Sequence, residues 1–186
     1  MNHQVLLAII SAVWVGSEVM LGIISRRGDS STHDRGSLRV LWALLFVAIF
    51  VAAQLRAMPF GRMPQRNTMF WIGIALIAIG IIVRASAIFT LRRFFTVAVT
   101  IQDSHELIDR GLYKIVRHPS YSGALVSFIG LGFAFGNWMS LAVILAGALI
   151  GFAYRIRVEE AALTSHFGDR YRAYATRTKR LIPGIY

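Results

Sequence analysis

Three hydrophilic clusters interrupt an otherwise apolar chain: His105-Glu106-Leu107-Ile108-Asp109-Arg110-Gly111-Leu112-Tyr113, Arg117-His118-Pro119-Ser120-Tyr121 and Arg155-Ile156-Arg157-Val158-Glu159-Glu160. Pro119 suits the first turn of a helix, where its missing N–H costs nothing. That leaves backbone donors near His118, Ser120 and Tyr121, an arrangement that can hold a polar ligand. The same spacing describes a plain capped helix start with His118 at an interface, and spacing alone slightly favours this simpler account. Arg155 and Glu159 are four residues apart on one helix face, so an intrahelical ion pair is the plainer reading of that cluster, although Arg before Glu is the less favourable order. The chain has no cysteine, which excludes disulfides, thiolate metal sites and a thiol nucleophile. No metal site is expected.

The elements that must position these clusters are membrane helices. Of 186 residues, 56% are hydrophobic and only 16% charged, with a mean hydropathy of +0.59, too apolar for a water-soluble domain of this size. A bilayer span needs roughly 20 mostly apolar residues in a helix, because no water is present to satisfy backbone polar groups. Apolar runs from Val5 to Ile24, from Leu38 to about Met58 and from Met69 to about Leu91 meet that demand. After Pro119 an apolar stretch persists to Tyr154, broken only at Gly136-Asn137, and a tight helical hairpin fits it best. The prediction is an all-α integral membrane protein of about five transmembrane helices, the last two forming the hairpin. Residues 1–93 hold three N-terminal helices and residues 94–186 the region with the chemistry, within a single domain of 1–186.

Folding the hairpin at Asn137 places Gly123 near Gly151 and Ser127 near Gly147, a pattern of small residues through which membrane helices approach closely. The tail from Val158 to Arg180 carries Leu163, Phe167, Tyr171 and Tyr174 at helical spacing. It is expected to be a cytoplasmic amphipathic helix that Gly168 interrupts or ends. The basic segments 92–117 and 155–180 point to the cytoplasmic side under the positive-inside rule. All three clusters then meet at the cytoplasmic end of the hairpin, the N-terminus is external, and Arg56, Arg62 and Arg66 fall outside, against the rule's trend. The net charge of +11 is therefore read as membrane-flanking charge that meets anionic head groups, not as a nucleic-acid surface. The N-terminal run has no basic n-region or small-residue cleavage signature, so it is expected to be a retained helix.

At these clusters the sequence resembles the isoprenylcysteine carboxyl methyltransferase family and, more distantly, the phospholipid methyltransferases. The resemblance runs from about His105 to Pro183. It combines His-x-Leu-x-x-x-Gly-x-Tyr, Arg-His-Pro-Ser-Tyr-x-Gly, a helical hairpin, Arg-x-x-x-Glu-Glu, Phe-Gly-x-x-Tyr-x-x-Tyr and a closing Ile-Pro. Asp34-Arg35-Gly36-Ser37 also looks like bacterial members of the group. The resemblance implies S-adenosylmethionine as methyl donor. It would be held by His105, Glu106, Leu107, Ile108, Tyr113, His118, Pro119, Ser120, Tyr121 and Glu159, with Arg155 as the catalytic, substrate-binding residue facing a carboxylate. Thr100 and Gln102 both stay open for a further cofactor contact.

Such chemistry suits these residue types. A carboxylate is already an anion near neutral pH, so its methylation needs no general base, and orientation supplies much of the rate. The guanidinium of Arg155 is a planar fork of donors matched to a carboxylate. The implied partners are a lipophilic or prenylated acceptor entering from the membrane, and membrane lipids. An amine-methylating lipid methyltransferase would want a base such as His118 or Glu160. An NADPH-dependent membrane reductase and a non-enzymatic scaffold are the other readings weighed here.

Overall fold

The computed structural model describes residues 5–10, 12–14, 16, 36–91 and 107–186. The helices with full bounds are α1 (Ser37–Leu55), α2 (Arg66–Leu91), α3 (Pro119–Phe135), α4 (Trp138–Phe167) and α5 (Asp169–Arg177), with a 3₁₀ turn at Gly111–Lys114 before α3. Residues 5–10 and 12–14 of the first predicted span are helical too, and 17–24 lie outside the described residues. Leu7 and Trp14 join the buried core, where the Trp14 ring lies 5.0 Å from that of Phe128. The regular elements among the described residues are all helices. Among the described residues α1, α2 and α4 are long and apolar enough to cross a membrane, whereas α3 has 17 residues. At 1.5 Å per residue α3 covers roughly 26 Å, just under the ~30 Å hydrocarbon layer.

The hairpin forms at the expected place. Asn137 is fully buried and caps α4, its side-chain oxygen accepting from the backbone N–H groups of Met139 (2.8 Å) and Ser140 (3.2 Å). Its amide nitrogen donates to the carbonyls of Leu55 (3.2 Å) and Phe60 (3.0 Å), tying the α1–α2 connection to the hairpin turn. One fully buried asparagine thus bonds donors and acceptors from three segments, the arrangement a buried polar group requires. This end of the bundle is opposite the end where α1 begins.

Two readings of the hairpin need correction. The tail from Val158 does not begin a helix of its own; α4 runs on to Phe167, and α5 starts beyond Gly168, where an interruption was expected and where a φ of +56 breaks the helix. Between Tyr154 and Phe167 the residues turn polar, but Arg, Glu, Ala and Leu are good helix formers, so the change marks an altered surroundings and not a helix end. The expected tail helix is therefore divided: Leu163 and Phe167 belong to α4, and Tyr171 and Tyr174 to α5. The small residues also do not pair across the hairpin. Gly123 lies against Gly80 and Arg84 of α2, and Ser127 against Gly80. Gly147 faces Ala48 of α1, and Gly151 faces Leu41 and Leu44. Each hairpin helix uses its small-residue face to seat a different N-terminal helix. A Cβ on Gly80 would sit 2.2 Å from Ser127 Oγ and 2.5 Å from the Gly123 carbonyl oxygen, so only glycine permits this approach of α2 and α3. The result places the start of α1, the end of α2, the start of α3 and the polar third of α4 at one end.

Candidate active site

The start of α3 is held by the tail of the chain. Val116 and Lys179 form a parallel bridge, the N–H groups of Arg117 and His118 donate to the carbonyls of Lys179 (2.7 Å) and Arg180 (3.0 Å), and Ser122 Oγ donates to the Leu181 carbonyl (2.6 Å). Pro119 occupies the first turn of α3 as its sequence position indicates, and is buried. Side chains fix the same junction. Glu160, on α4, accepts from Arg117 Nε (2.8 Å) and Arg180 Nε (2.9 Å), and its Oε1 is 3.4 Å from His118 Nε2. Arg117 also donates to the carbonyls of Ala175 (2.8 Å) and Thr178. Charge-assisted bonds of this kind are about twice as strong as neutral ones. The bond to Glu160 raises Arg180 further above its ordinary pKa.

Above this clamp the three clusters converge. His118, only 4% exposed, stacks on Tyr121 with ring centroids 5.6 Å apart, and Tyr121 stacks in turn on Phe152 of α4 at 5.2 Å. The Tyr121 hydroxyl donates to Glu159 Oε2 (3.0 Å) and accepts from Arg155 Nε (3.1 Å). His118 Nδ1 is 3.8 Å from the same Glu159 oxygen. Arg155 is 2% exposed and donates through Nη1 to Ser37 Oγ at the start of α1 (2.7 Å). Tyr113 is buried in the 3₁₀ turn, and its carbonyl accepts from the Tyr174 hydroxyl of α5 (2.7 Å). Burial, then the nearby charge of Glu159, hold the Tyr113 phenol well above its usual pKa, so it is a neutral hydrogen-bond donor at physiological pH.

The model of the family described as phospholipid methyltransferase matches residues 68–170, which include α3, α4, most of α2 and all three clusters. The chain belongs to that family. Among the relatives of this methyltransferase family member, a probable protein-S-isoprenylcysteine O-methyltransferase of Oryza sativa subsp. indica is 29% identical over 177 residues, covering 93% of this chain and 92% of the relative. Protein-S-isoprenylcysteine O-methyltransferase B of Arabidopsis thaliana is 37% identical over 127 residues, 66% of this chain and 64% of the relative. A solved eukaryotic intramembrane Ras methyltransferase, an isoprenylcysteine carboxyl methyltransferase, superposes with a TM-score of 0.65 at 27% identity. That match covers 77% of this chain and 52% of the solved one, so the chain spans about half the length of that protein. The resemblance read from the clusters is borne out.

Of the residues singled out in this family member's sequence, His118, Tyr121, Arg155 and Glu159 meet at one place, with Pro119 buried next to His118 in the chain and Tyr113 within electrostatic reach of Glu159. Ser120 is adjacent, but its hydroxyl accepts from Arg84 Nη1 of α2 (2.6 Å). Leu107 and Ile108 are half-buried just before the 3₁₀ turn, whereas His105, Glu106, Thr100 and Gln102 lie outside the described residues. Four contacts escaped sequence reasoning: Arg84 with Ser120, Glu160 as the hub of the clamp, Arg180 with Glu160, and Ser37 with Arg155. Arg84 had a signal, a lone cation within an apolar run, which marks a function by default. Glu160 stood in the third cluster, but nothing local named its partners, since Arg117 and His118 are 43 and 42 residues away.

The residues present fit S-adenosylmethionine. Glu159 retains acceptor capacity for an ammonium or hydroxyl group, with one oxygen bonded to Tyr121 and its side chain 31% exposed. The rings of His118, Tyr121 and Phe152, each stacked on the next, hold the Tyr121 hydroxyl beside Glu159. The Tyr171 hydroxyl is buried with no hydrogen-bond partner among the described residues, and such a group calls for one.

Proposed function

We propose that this chain transfers a methyl group from S-adenosylmethionine to the carboxylate of an isoprenylcysteine-like or other lipophilic acceptor, at the cytoplasmic face of the membrane. The observation that carries this reading is the single phenol of Tyr121, bonded on one side to Arg155 (3.1 Å) and on the other to Glu159 (3.0 Å). The residue suited to an anionic acceptor and the residue suited to a cationic or hydroxyl-bearing donor are thereby joined through one side chain.

When bound, S-adenosylmethionine supplies an electrophilic methyl group on a sulfonium. His105, Glu106, Leu107, Ile108, Tyr113, His118, Pro119, Ser120, Tyr121 and Glu159 are proposed to hold it. Arg155 is 2% exposed and aims its fork from a dry, low-dielectric position, where one charge-assisted contact orients a carboxylate strongly. It orients the anion without taking a proton from it, and no general base is needed. Glu160 is poorly suited to act as a base for an amine acceptor, because both its oxygens accept from guanidinium groups. Five spanning helices, a single domain over 1–186 and sideways entry of a prenylated acceptor between helices complete the proposal, with the donor arriving from the cytoplasm.

Calorimetric titration of the purified chain with S-adenosylhomocysteine and with NADPH separates the methyltransferase reading from a reductase. Binding of the former, lost in Glu159→Gln, is expected. Binding of NADPH alone would overturn the reading.

A further inference from the structure

The seam between α1 and α4 follows a regular stripe on each helix. Gly147, Gly151 and Arg155 succeed one another at four-residue spacing on α4, and opposite them run Ala48, Leu41 and Ser37 of α1. A Cβ on Gly151 would come within 2.6 Å of Leu41 Cδ1, and one on Gly147 within 2.5 Å of Ala48 Cβ, so glycine brings the two backbones close. One turn beyond Gly151 the glycine register is replaced by an arginine. One turn before Leu41 stands Ser37, which is 0% exposed and whose hydroxyl receives Arg155 Nη1 at 2.7 Å. Gly36, at φ +73, turns the chain into α1 just before it. Packing alone would be served by alanine at this position; a hydroxyl aimed at the guanidinium has a further consequence.

We infer that Ser37 is a positioning residue for acceptor recognition, holding one arm of the Arg155 guanidinium while Tyr121 holds Nε, so that the fork is fixed from two sides before an acceptor carboxylate arrives. This rests on the reading of Arg155 as the partner of that carboxylate. It assigns part of the acceptor site to α1, outside residues 68–170 that match the family model. An arginine side chain has several rotatable bonds, and fixing it beforehand removes an ordering cost that binding would otherwise carry. Tyr121 ties the same guanidinium to the donor side, so loss of Ser37 leaves the donor half intact.

The test uses the full chain in lipid nanodiscs, with N-acetyl-S-farnesylcysteine as acceptor probe and S-adenosylhomocysteine as donor-side probe. Ser37→Ala and the near-isosteric Ser37→Cys are each expected to raise the acceptor KM about tenfold, while the calorimetric Kd for S-adenosylhomocysteine stays within about twofold of the parent. Ser37→Thr, which keeps the hydroxyl, is expected to restore the KM to within about threefold. An unchanged acceptor KM in both Ala and Cys variants overturns the inference. So does a parallel loss of S-adenosylhomocysteine affinity in both, which would mean that Ser37 only packs the seam. Arg155→Ala is measured alongside: if it keeps the parent rate of methyl transfer, the reading of Arg155 fails, whatever Ser37 does.

Discussion

The Glu160 clamp makes a quantitative prediction about how the tail is held. Glu160→Gln keeps the side-chain volume and one acceptor oxygen but removes the charge that faces Arg117 Nε at 2.8 Å and Arg180 Nη2 at 2.8 Å. The two pairs differ in worth. Arg180 is 36% exposed, so its pair is screened and contributes about 1 kcal/mol at most. Arg117 is 10% exposed and Glu160 13%, close to the buried limit in which removing one partner costs about 3–5 kcal/mol. The carbonyls of Ala175 and Thr178 still accept from Arg117, which lowers that cost. A loss of about 2–3 kcal/mol in holding the tail against α3 and α4 results. Two exposed trypsin sites, Arg177 and Lys179, flank the buried Thr178 at the clamped part of the tail. When opening is fast relative to cleavage, the rate follows the open population, so Glu160→Gln should be cut there about 30- to 150-fold faster than the parent. Mass spectrometry of timed digests in nanodiscs reads this directly. Equal cleavage rates would show that the backbone bonds to Lys179, Arg180 and Leu181 suffice and that the carboxylate holds nothing.

Further outcomes follow from the same geometry. Gly80→Ala drives a Cβ into Gly123 backbone and should lower stability by about 1–3 kcal/mol, seen as a lower melting temperature by tryptophan fluorescence; an unchanged melt would contradict the close seam. Burial raises the Tyr174 phenol from 10.0 to about 12, so the fold keeps a proton that the unfolded chain releases. That contribution is whole below about pH 10 and is lost as the pH climbs from 10 towards 12; Tyr174→Phe should flatten the fall of melting temperature in this window, and parallel slopes would refute it. Arg155→Ala should abolish turnover while S-adenosylhomocysteine still binds, whereas Glu159→Gln should lose that binding and remain folded. The opposite assignment of the two losses would exchange their roles.

Much of this was legible because lipid imposes a simple rule on sequence. The spans at Leu38 and Met69 and the hairpin turn at Asn137 appear where apolar runs begin and end, since each must satisfy its own backbone. Convergence of the Arg117 and Arg155 clusters also followed, because a hairpin returns the chain to the end where it started. What sequence could not reveal was which helix lies against which. Gly123 and Gly151 match in depth, yet they seat α2 and α1 respectively, because small-residue faces specify close approach without naming a partner. Polarity misled in one place: the charged stretch from Val158 reads as a separate tail helix, but helix geometry is indifferent to where the lipid stops. The link from Ser37 to Arg155 joins residues 118 apart, and local spacing carries no trace of it.

The most direct test supplies tritiated-methyl S-adenosylmethionine and N-acetyl-S-farnesylcysteine to the purified chain, then treats the extracted product with alkali. Methyl transfer to a carboxylate gives an ester, so the label should be released as volatile methanol, and Arg155→Ala should yield none. Label that enters lipid or probe but resists alkali, or no transfer while S-adenosylhomocysteine binds, would contradict carboxylate methylation at this site.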